Sequence, residues 1–225
     1  MTIQASVNGS DIITPVGYDA LGRQYRDYLP FPDNSTSQGL YRSTATTLHN
    51  SYYTAQYADS RGYSDKSFET SPLNRVLKQG VVGTPWIGHE IEFFENVNTA
   101  ADSVRIWTVN SSGLPVNGGL FANGALSKVE SYNEQDQRTI EYKDKLGRLI
   151  LKKVQIDLAP TSHHDGWLCS YYVYDLMGNL RVVMPPKAIS TLRASNNWAG
   201  SISDSNKFGL YYLYSYDVKG RQITK

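Results

Sequence analysis

The stretch that decides the fold is Tyr172–Pro186, which reads YVYDLMGNLRVVMPP. Aromatic and β-branched residues lead up to Asp175, and a second strand-forming run, Leu180–Met184, follows Gly178. Asp is favoured at the first position of a type I turn, where its carboxylate accepts backbone N–H groups, and Gly is favoured at the fourth. A Gly in the left-handed conformation then completes a three-residue hairpin loop with a bulge. The stretch therefore predicts a strand, a turn and a returning strand.

The same turn motif recurs along the chain. Its four members are Tyr18-Asp19-Ala20-Leu21-Gly22-Arg23, Tyr142-Lys143-Asp144-Lys145-Leu146-Gly147-Arg148, Tyr174-Asp175-Leu176-Met177-Gly178-Asn179 and Tyr216-Asp217-Val218-Lys219-Gly220-Arg221. All four keep Asp-x-x-Gly, although Tyr142 lies one residue earlier than its counterparts and Asn179 replaces Arg. A looser relative begins at Phe68-Glu69, where Asn74 takes the place of Gly because Asn also tolerates positive φ. We assign these motif residues a structural role as hairpin tips, and we expect the Tyr before each turn to stack on the Arg after it.

Composition agrees with a mainly β protein of antiparallel hairpins in a meander. The chain of 225 residues holds 17 Tyr and 18 Gly, which favours half-buried strands joined by tight turns. Further strands are predicted at Ser103–Val109, Leu126–Ser131, Arg138–Tyr142 and Arg148–Ile156. Short helices are predicted within Leu40–Tyr57 and Lys187–Arg193, and surface loops at Asn117–Gly124 and Ala194–Lys207. We expect residues 1–225 to form one β-rich region.

Charge and hydropathy patterns argue against several classes of protein. The 22 basic and 21 acidic residues are interspersed and leave a net charge of +1, so no basic stripe predicts a nucleic-acid partner. No stretch approaches the roughly 18 consecutive apolar residues of a membrane span, and residues 1–14 carry no visible export signal. The single Cys169, next to a tyrosine-rich strand, cannot form an internal disulfide and is expected to be a small core residue.

The tyrosine-aspartate unit in its YDxxGR form resembles the YD repeat of the RHS family, large bacterial proteins related in architecture to teneurins and to the shell subunits of insecticidal toxin complexes. The stretches Tyr18–Pro32, Phe68–Gly83 with Trp86, Glu141–Lys152 and Tyr172–Pro186 look like the region upstream of the core in RHS-repeat proteins.

This resemblance implies a β-ribbon that spirals into a hollow shell around a C-terminal toxin or effector, in a protein that is secreted or held at the cell surface. Our chain would be one scaffold segment of that wall and a piece of a much larger polypeptide. Its partners would then be the rest of the same RHS polypeptide and the enclosed domain. The family's self-cleaving aspartyl site follows a DPxG pattern, and no Asp-Pro pair occurs in this sequence.

The sequence predicts no catalytic, cofactor-binding or metal-binding residue. His163, His164 and Asp165 form the densest cluster of possible metal ligands, yet adjacent strand residues point to opposite faces and no third ligand has a zinc-like spacing. His89 and Glu90 diverge for the same reason. The repeated Asp residues share one kind of turn, whereas an acid–base pair needs two different environments. No GxSxG, HExxH, Walker-type or dinucleotide-binding motif is present.

Four tryptophans leave a second function open. Trp86, Trp107, Trp167 and Trp198 can form stacking platforms for sugar rings, which would make the chain a carbohydrate-binding or adhesion module at the cell surface with glycans as partners. Large aromatic residues at alternate strand positions also commonly pack against a sheet. We therefore carry two hypotheses forward, a non-enzymatic scaffold and a carbohydrate-binding module.

Overall fold

A computed structural model of the chain describes residues 1–5, 10–34, 39–194, 198 and 209–224. The loop predicted at Ala194–Lys207 lies outside these residues apart from Ala194 and Trp198. The chain divides into two compact units, of which unit 1 comprises Met1–Phe93 with Tyr132–Asp136, and unit 2 comprises Phe94–Ser131 with Gln137–Lys225. That residues 1–225 form one continuous repeat region stays a prediction.

Unit 1 contains a small sheet covered by a helix, followed by a run of hairpins. Its elements are β1 (Thr2–Ala5), β2 (Asp11–Thr14), β3 (Val16–Tyr18), β4 (Gln24–Tyr28), β5 (Phe31–Asp33), α1 (Ala45–Tyr57), β6 (Tyr63–Phe68), β7 (Val76–Gln79) and the first half of β8 (Ile91–Val97). The small sheet has the order β1-β2-β5, and β3, β4, β6, β7 and β8 pair in that order as antiparallel neighbours. A 3-10 turn at Thr84–Trp86 precedes β8.

The core of unit 1 forms where α1 packs on the small sheet. His49 on α1 is fully buried against the rings of Tyr28, Phe31 and Tyr53, and its Nε2 lies 3.1 Å from the carbonyl oxygen of Gly62. Burial lowers the pKa of His49, because the charged ring would lose its hydration. These contacts fix the helix that the sequence placed within Leu40–Tyr57.

Unit 2 is an antiparallel meander with one covering helix. Its elements are the second half of β8, β9 (Arg105–Val109), β10 (Pro115–Leu120), β11 (Ser127–Tyr132, of which the last residue belongs to unit 1), β12 (Arg138–Lys143), β13 (Leu149–Gln155), β14 (Trp167–Tyr174), β15 (Leu180–Met184), α2 (Pro186–Ala194), β16 (Tyr212–Leu213), β17 (Ser215–Tyr216) and β18 (Gln222–Thr224). Strands β11 to β16 neighbour one another in chain order, and β9-β10 and β17-β18 form separate hairpins. A 3-10 turn at Ala100–Asp102 precedes β9.

The core of unit 2 follows from the alternation of β14. Trp167, Cys169, Tyr171 and Val173 point into the core, while the residues between them are less buried. Helix α2 covers this face with its buried apolar residues, which are Ala188, Ile189 and Leu192. Because α2 begins at a proline, its first turn needs no N–H from that residue.

The structure confirms a mainly β fold of antiparallel hairpins with two short helices. It also corrects two boundaries. The loop expected at Asn117–Gly124 is wrong in its first half, because Asn117 pairs with Trp107 inside the β9-β10 hairpin. The glycines there fit a strand because the register shifts at a bulge between Asn117 and Leu120. The strand expected from Ser103 begins two residues later, since Ser103 has a φ of 51°. Within the described residues no helix is long and apolar enough to cross a bilayer.

Candidate functional site: the row of hairpin tips

The Asp-x-x-Gly motifs close the hairpins with one shared backbone geometry. Between β12 and β13, the N–H of Gly147 donates to the carbonyl oxygen of Asp144 at 2.9 Å, and the N–H of Asp144 donates to that of Arg148 at 3.0 Å. Gly147 has a φ of 77°, a conformation that strains residues with a Cβ. The same two hydrogen bonds and a positive-φ glycine recur at residues 19–23, 175–179 and 217–221.

The Asp side chain of each motif accepts hydrogen bonds from residues of its own turn. Oδ1 of Asp144 accepts the N–H groups of Leu146 and Arg148, both at 2.9 Å, and Oδ2 accepts Nε of Arg148 at 2.7 Å. Burial raises the pKa of Asp144, but the hydrogen bonds from Arg148 and Leu146 outweigh it and leave the pKa below its usual value. At Asp19 and Asp217 the backbone hydrogen bonds are the main cause of a lowered pKa.

The Arg of one motif reaches the next hairpin instead of its own Tyr. In unit 1, Nη1 of Arg23 donates to the carbonyl oxygen of Glu69 and to Oδ1 of Asn74, both at 3.2 Å, and the guanidinium lies 4.7 Å from the ring of Phe68. The stacking expected within a motif is replaced by stacking between motifs. An ion pair of 2.7 Å with Asp19 holds the Arg23 guanidinium at the tip.

The same links join the tips of unit 2. The Arg148 guanidinium lies 5.1 Å from the ring of Tyr174, which belongs to the next tip. The next tip has Asn179 in place of Arg. Arg181, two residues later on the same face, makes the contact with the following tip instead, because its Nε donates to the carbonyl oxygen of Tyr214 at 3.0 Å. The hydroxyl of Tyr216 donates back to the carbonyl oxygen of Leu180 at 2.9 Å. The three Asp-x-x-Gly tips of unit 2 are therefore joined to one another in series.

The motif tyrosines do not share one environment. Tyr18 is largely exposed, whereas Tyr142, which lies one residue earlier in its motif, is fully buried. A one-residue slip moves a strand side chain to the opposite face. The hydroxyl of Tyr142 donates to Oδ1 of Asp102 at 2.8 Å, and Nζ of Lys128 donates to the same oxygen at 3.0 Å. Burial raises the pKa of Tyr142 and also opposes ionisation of Asp102, whose hydrogen bonds nevertheless keep its pKa below normal.

Related turns use Asn or Glu at the first position. Asn110 accepts the N–H of Gly113 on its carbonyl at 3.0 Å and the N–H of Leu114 on Oδ1 at 2.9 Å, as the Asp residues do. In the looser relative, Asn74 has a φ of 55° and Glu69 binds Arg75. The signal in the sequence for this turn is the Asn-x-x-Gly pattern of Asn110–Gly113.

The three residues of the His-His-Asp cluster have different partners. His164 is buried, with Nε2 2.9 Å from the hydroxyl of Tyr171, whereas Nδ1 of His163 lies 2.7 Å from the hydroxyl of Ser103. Asp165 pairs with Arg193 at 2.8 Å. Burial, together with neighbouring positive charges, lowers the pKa of His164 to about 3. Across the described ranges no group of three or more metal-ligating side chains converges.

The side chains of Lys153 and Cys169 in unit 2 are also buried. Burial lowers the pKa of Lys153 to about 8, and its Nζ donates to the carbonyl oxygens of Asp102, Ser162 and His163 at 3.2, 2.9 and 2.5 Å. Burial raises the pKa of the Cys169 thiol to about 11, so this thiol stays protonated at neutral pH. Cys169 borders a cavity of about 520 Å³ beside α2. The lysine acts as a structural donor that holds the loop before β14.

Of the four tryptophans, one presents a substantial open ring. Trp107 and Trp167 are buried, which contradicts their expected role as sugar platforms, because their alternate strand positions face the core. Trp198 is partly covered by Arg105, whose guanidinium lies 4.0 Å from the ring. Trp86 is 41% exposed in its 3-10 turn. Within unit 1 it lines a shallow cavity of about 570 Å³, together with Pro85, His89, Glu134, Gln135 and Asp136.

Comparison with known proteins gives one family match. A family described as "Domain of unknown function (DUF6443)" matches residues 1–98. No curated protein matches the chain. A solved structure entitled "Crystal Structure of TcdB2-TccC3-TEV" is similar to it with a TM-score of 0.44 and 15% identity, over 98% of this chain and 10% of the solved one. The chain thus spans about a tenth of the length of that solved chain.

Proposed function

We propose that the chain is a non-enzymatic scaffold segment of an RHS-repeat protein, forming part of a β-sheet wall that encloses a C-terminal toxin or effector. The observation that carries the proposal is the fastening of neighbouring hairpin tips. Arg23 joins two tips in unit 1, and Arg148 and Arg181 join three in unit 2. The YD motifs that supply these contacts are the residues that resemble the RHS family.

Contacts between neighbouring hairpin tips suit a β-sheet wall, because the strands of a long ribbon must stay in register. In repeat architectures each unit contacts mainly its neighbours, so stability depends on the contacts between adjacent units. An Asp–Arg pair within the turn stabilises three of the four turns. Arg23, Arg148 and Arg181 then contact the next turn. Neighbouring hairpins are thereby prevented from slipping, which would otherwise move apolar side chains to the solvent face.

The non-enzymatic part of the proposal is supported by what the titratable groups contact. His164 and Lys153 are buried and bonded to structural partners, and the thiol of Cys169 is protonated. The four repeat Asp residues each accept two backbone N–H groups of their own turn, and the pKa of each is lowered. Acid–base catalysis needs two groups whose environments differ.

Protease protection tests the enclosing role. The full natural polypeptide is treated with a protease, and the survival of its C-terminal domain is followed by immunoblot. We expect protection in the natural protein and its loss when Arg148 and Arg181 are both changed to Ala, with Lys145→Ala, at an exposed tip position, as the matched control. A C-terminal domain that is digested as quickly in the natural protein as in isolation would contradict enclosure.

The exposed ring of Trp86 favours a second candidate function, glycan binding. An indole face beside Glu134 and Asp136 offers both a stacking surface and hydrogen-bond acceptors for hydroxyl groups. Titration with a panel of glycans should then change the tryptophan fluorescence of the natural chain. The fluorescence of the Trp86→Ala variant should not change. Equal responses in the natural chain and in Trp86→Ala would contradict a site at Trp86, and the absence of any response would contradict glycan binding.

A further inference from the structure

The hairpin tips of unit 2 carry aliphatic side chains that point away from the protein. Leu146, Leu176, Met177 and Val218 are 76%, 107%, 90% and 104% exposed. All four lie at the two central positions of Asp-x-x-Gly turns, which need no apolar residue for their geometry. Single exposed apolar residues are ordinary, but repetition at every tip of one row indicates a contact surface.

These side chains form a row along one edge of the meander. The tips at residues 144–147 and 175–178 join β12 to β13 and β14 to β15, so successive antiparallel strands bring both to the same edge. Strand β16 runs antiparallel to β15 and leads through β17 to the third tip on that edge. Adjacent tips are two strands apart, which corresponds to a spacing of about 10 Å. We call these three tips the tip row.

The tip row also carries positive charge. The carboxylates of Asp144 and Asp217 are each paired with the Arg of their own turn at 2.7 Å, and that of Asp175 is bonded to Asn179 and Arg181. Lys145 and Lys219 are exposed, and neither forms an ion pair within the part of the chain that the structure describes. Two uncompensated ammonium groups therefore lie among four protruding aliphatic side chains.

We propose that the tip row binds an anionic lipid surface. The aliphatic side chains enter the boundary between headgroups and acyl chains, while Lys145 and Lys219 contact headgroup phosphates and carboxylates. The inference is independent of the scaffold function proposed above. It concerns the outward edge of the hairpins, whereas the scaffold proposal concerns the contacts between them.

The shape of the row favours a lipid surface over a protein partner. The four side chains project from three separate turns, and those of Leu176, Met177 and Val218 have an exposure close to that of an isolated residue. A small-molecule site is concave, and the core of a protein interface is closely packed and rich in aromatic residues. A fluid bilayer accommodates separate convex side chains without a preformed complement. The adjacent lysines match the negative surface potential of anionic membranes.

Vesicle flotation with the 225-residue chain tests the proposal. We expect the chain to float with vesicles of phosphatidylcholine mixed with about one-third phosphatidylserine and to remain at the bottom with phosphatidylcholine alone, because headgroup charge contributes to binding. High salt should release it. The double variant Leu176→Ser/Met177→Ser should lower partitioning about tenfold, and Lys145→Glu/Lys219→Glu should abolish the preference for anionic vesicles.

Leu158→Ser is the matched control. Leu158 is 102% exposed, but it lies in the β13–β14 connection, at the end of the strands opposite the tip row. Its variant should float as the natural chain does, and circular dichroism melting should show that all variants fold. Failure to float with anionic vesicles, or an equal loss with Leu158→Ser, would overturn the proposal. So would a dimer in analytical ultracentrifugation that the tip variants dissociate without any flotation, since a second copy would then be the partner.

Discussion

Acid should destabilise unit 2 through His164 before the carboxylates titrate. His164 is 5% exposed and its ring stacks on Tyr171 at a centroid distance of 5.9 Å. Burial is the main cause of its lowered pKa, and the positive charges of Lys153, Arg105 and Arg193 add to it. A proton on His164 would therefore be placed in an apolar and already positive environment.

The size and sign of the effect follow from the two pKa values. The pKa of His164 is about 3 in the folded chain and 6.5 for an unperturbed histidine. Between these values the unfolded chain binds a proton that the folded chain does not, so the free energy of unfolding falls as the pH falls. The full difference corresponds to a loss on the order of 5 kcal/mol, of which about 2 kcal/mol is lost by about pH 5.

Urea unfolding at about pH 7 and about pH 5, followed by tryptophan fluorescence, measures this loss. The window lies above the usual pKa values of Asp and Glu, so histidines dominate it. His164→Gln should remove most of the pH dependence, while His163→Gln, at the exposed neighbouring position, should retain it. The contribution of His49 in unit 1 is common to all three proteins and cancels in the comparison. A pH dependence that His164→Gln leaves unchanged would refute the reasoning.

Three substitutions test the turns and the buried cluster, each by chemical denaturation. Gly178→Val should cost about 1–3 kcal/mol because its φ of 85° strains a β-branched residue; Gly209→Ala, which has open space and no positive φ, should cost much less. Tyr142→Phe should cost about 1–3 kcal/mol by removing the buried hydroxyl that donates to the Asp102 carboxylate. Arg148→Ala should cost about 1 kcal/mol through its ion pair and ring contact. An unchanged midpoint for any of these would contradict the corresponding contact.

The hairpins could be predicted from the sequence because their determinants are local. Asp144 and Gly147 set the turn within four residues, and the flanking alternation sets the strands. Helix α2 could be predicted from Pro186 and the run that follows it. By contrast, the position of Tyr142 in its motif suggested the same role as Tyr18, although a shift of one residue had already placed it on the other face.

The partners of the tip arginines could not be predicted from the sequence. Phe68 lies 45 residues from Arg23, and only the pairing of β4 with β6 brings the two together. Whether a tryptophan is buried or exposed also depends on packing against residues that are distant in the sequence. Trp167 is buried because α2 folds over β14, whereas Trp86 lies in a 3-10 turn, which leaves its ring partly open. Residue type alone cannot separate a buried ring from an exposed one.

The central claim, that the chain is a scaffold segment of an RHS-repeat protein, is tested most directly by the mass of the natural polypeptide. An antibody raised against this chain would be used for immunoblotting of denatured extracts from the source cells and their medium. We expect a band several times larger than the 25.2 kDa of this chain. A single band at 25.2 kDa would contradict it, because so short a chain could not supply the wall of an enclosure.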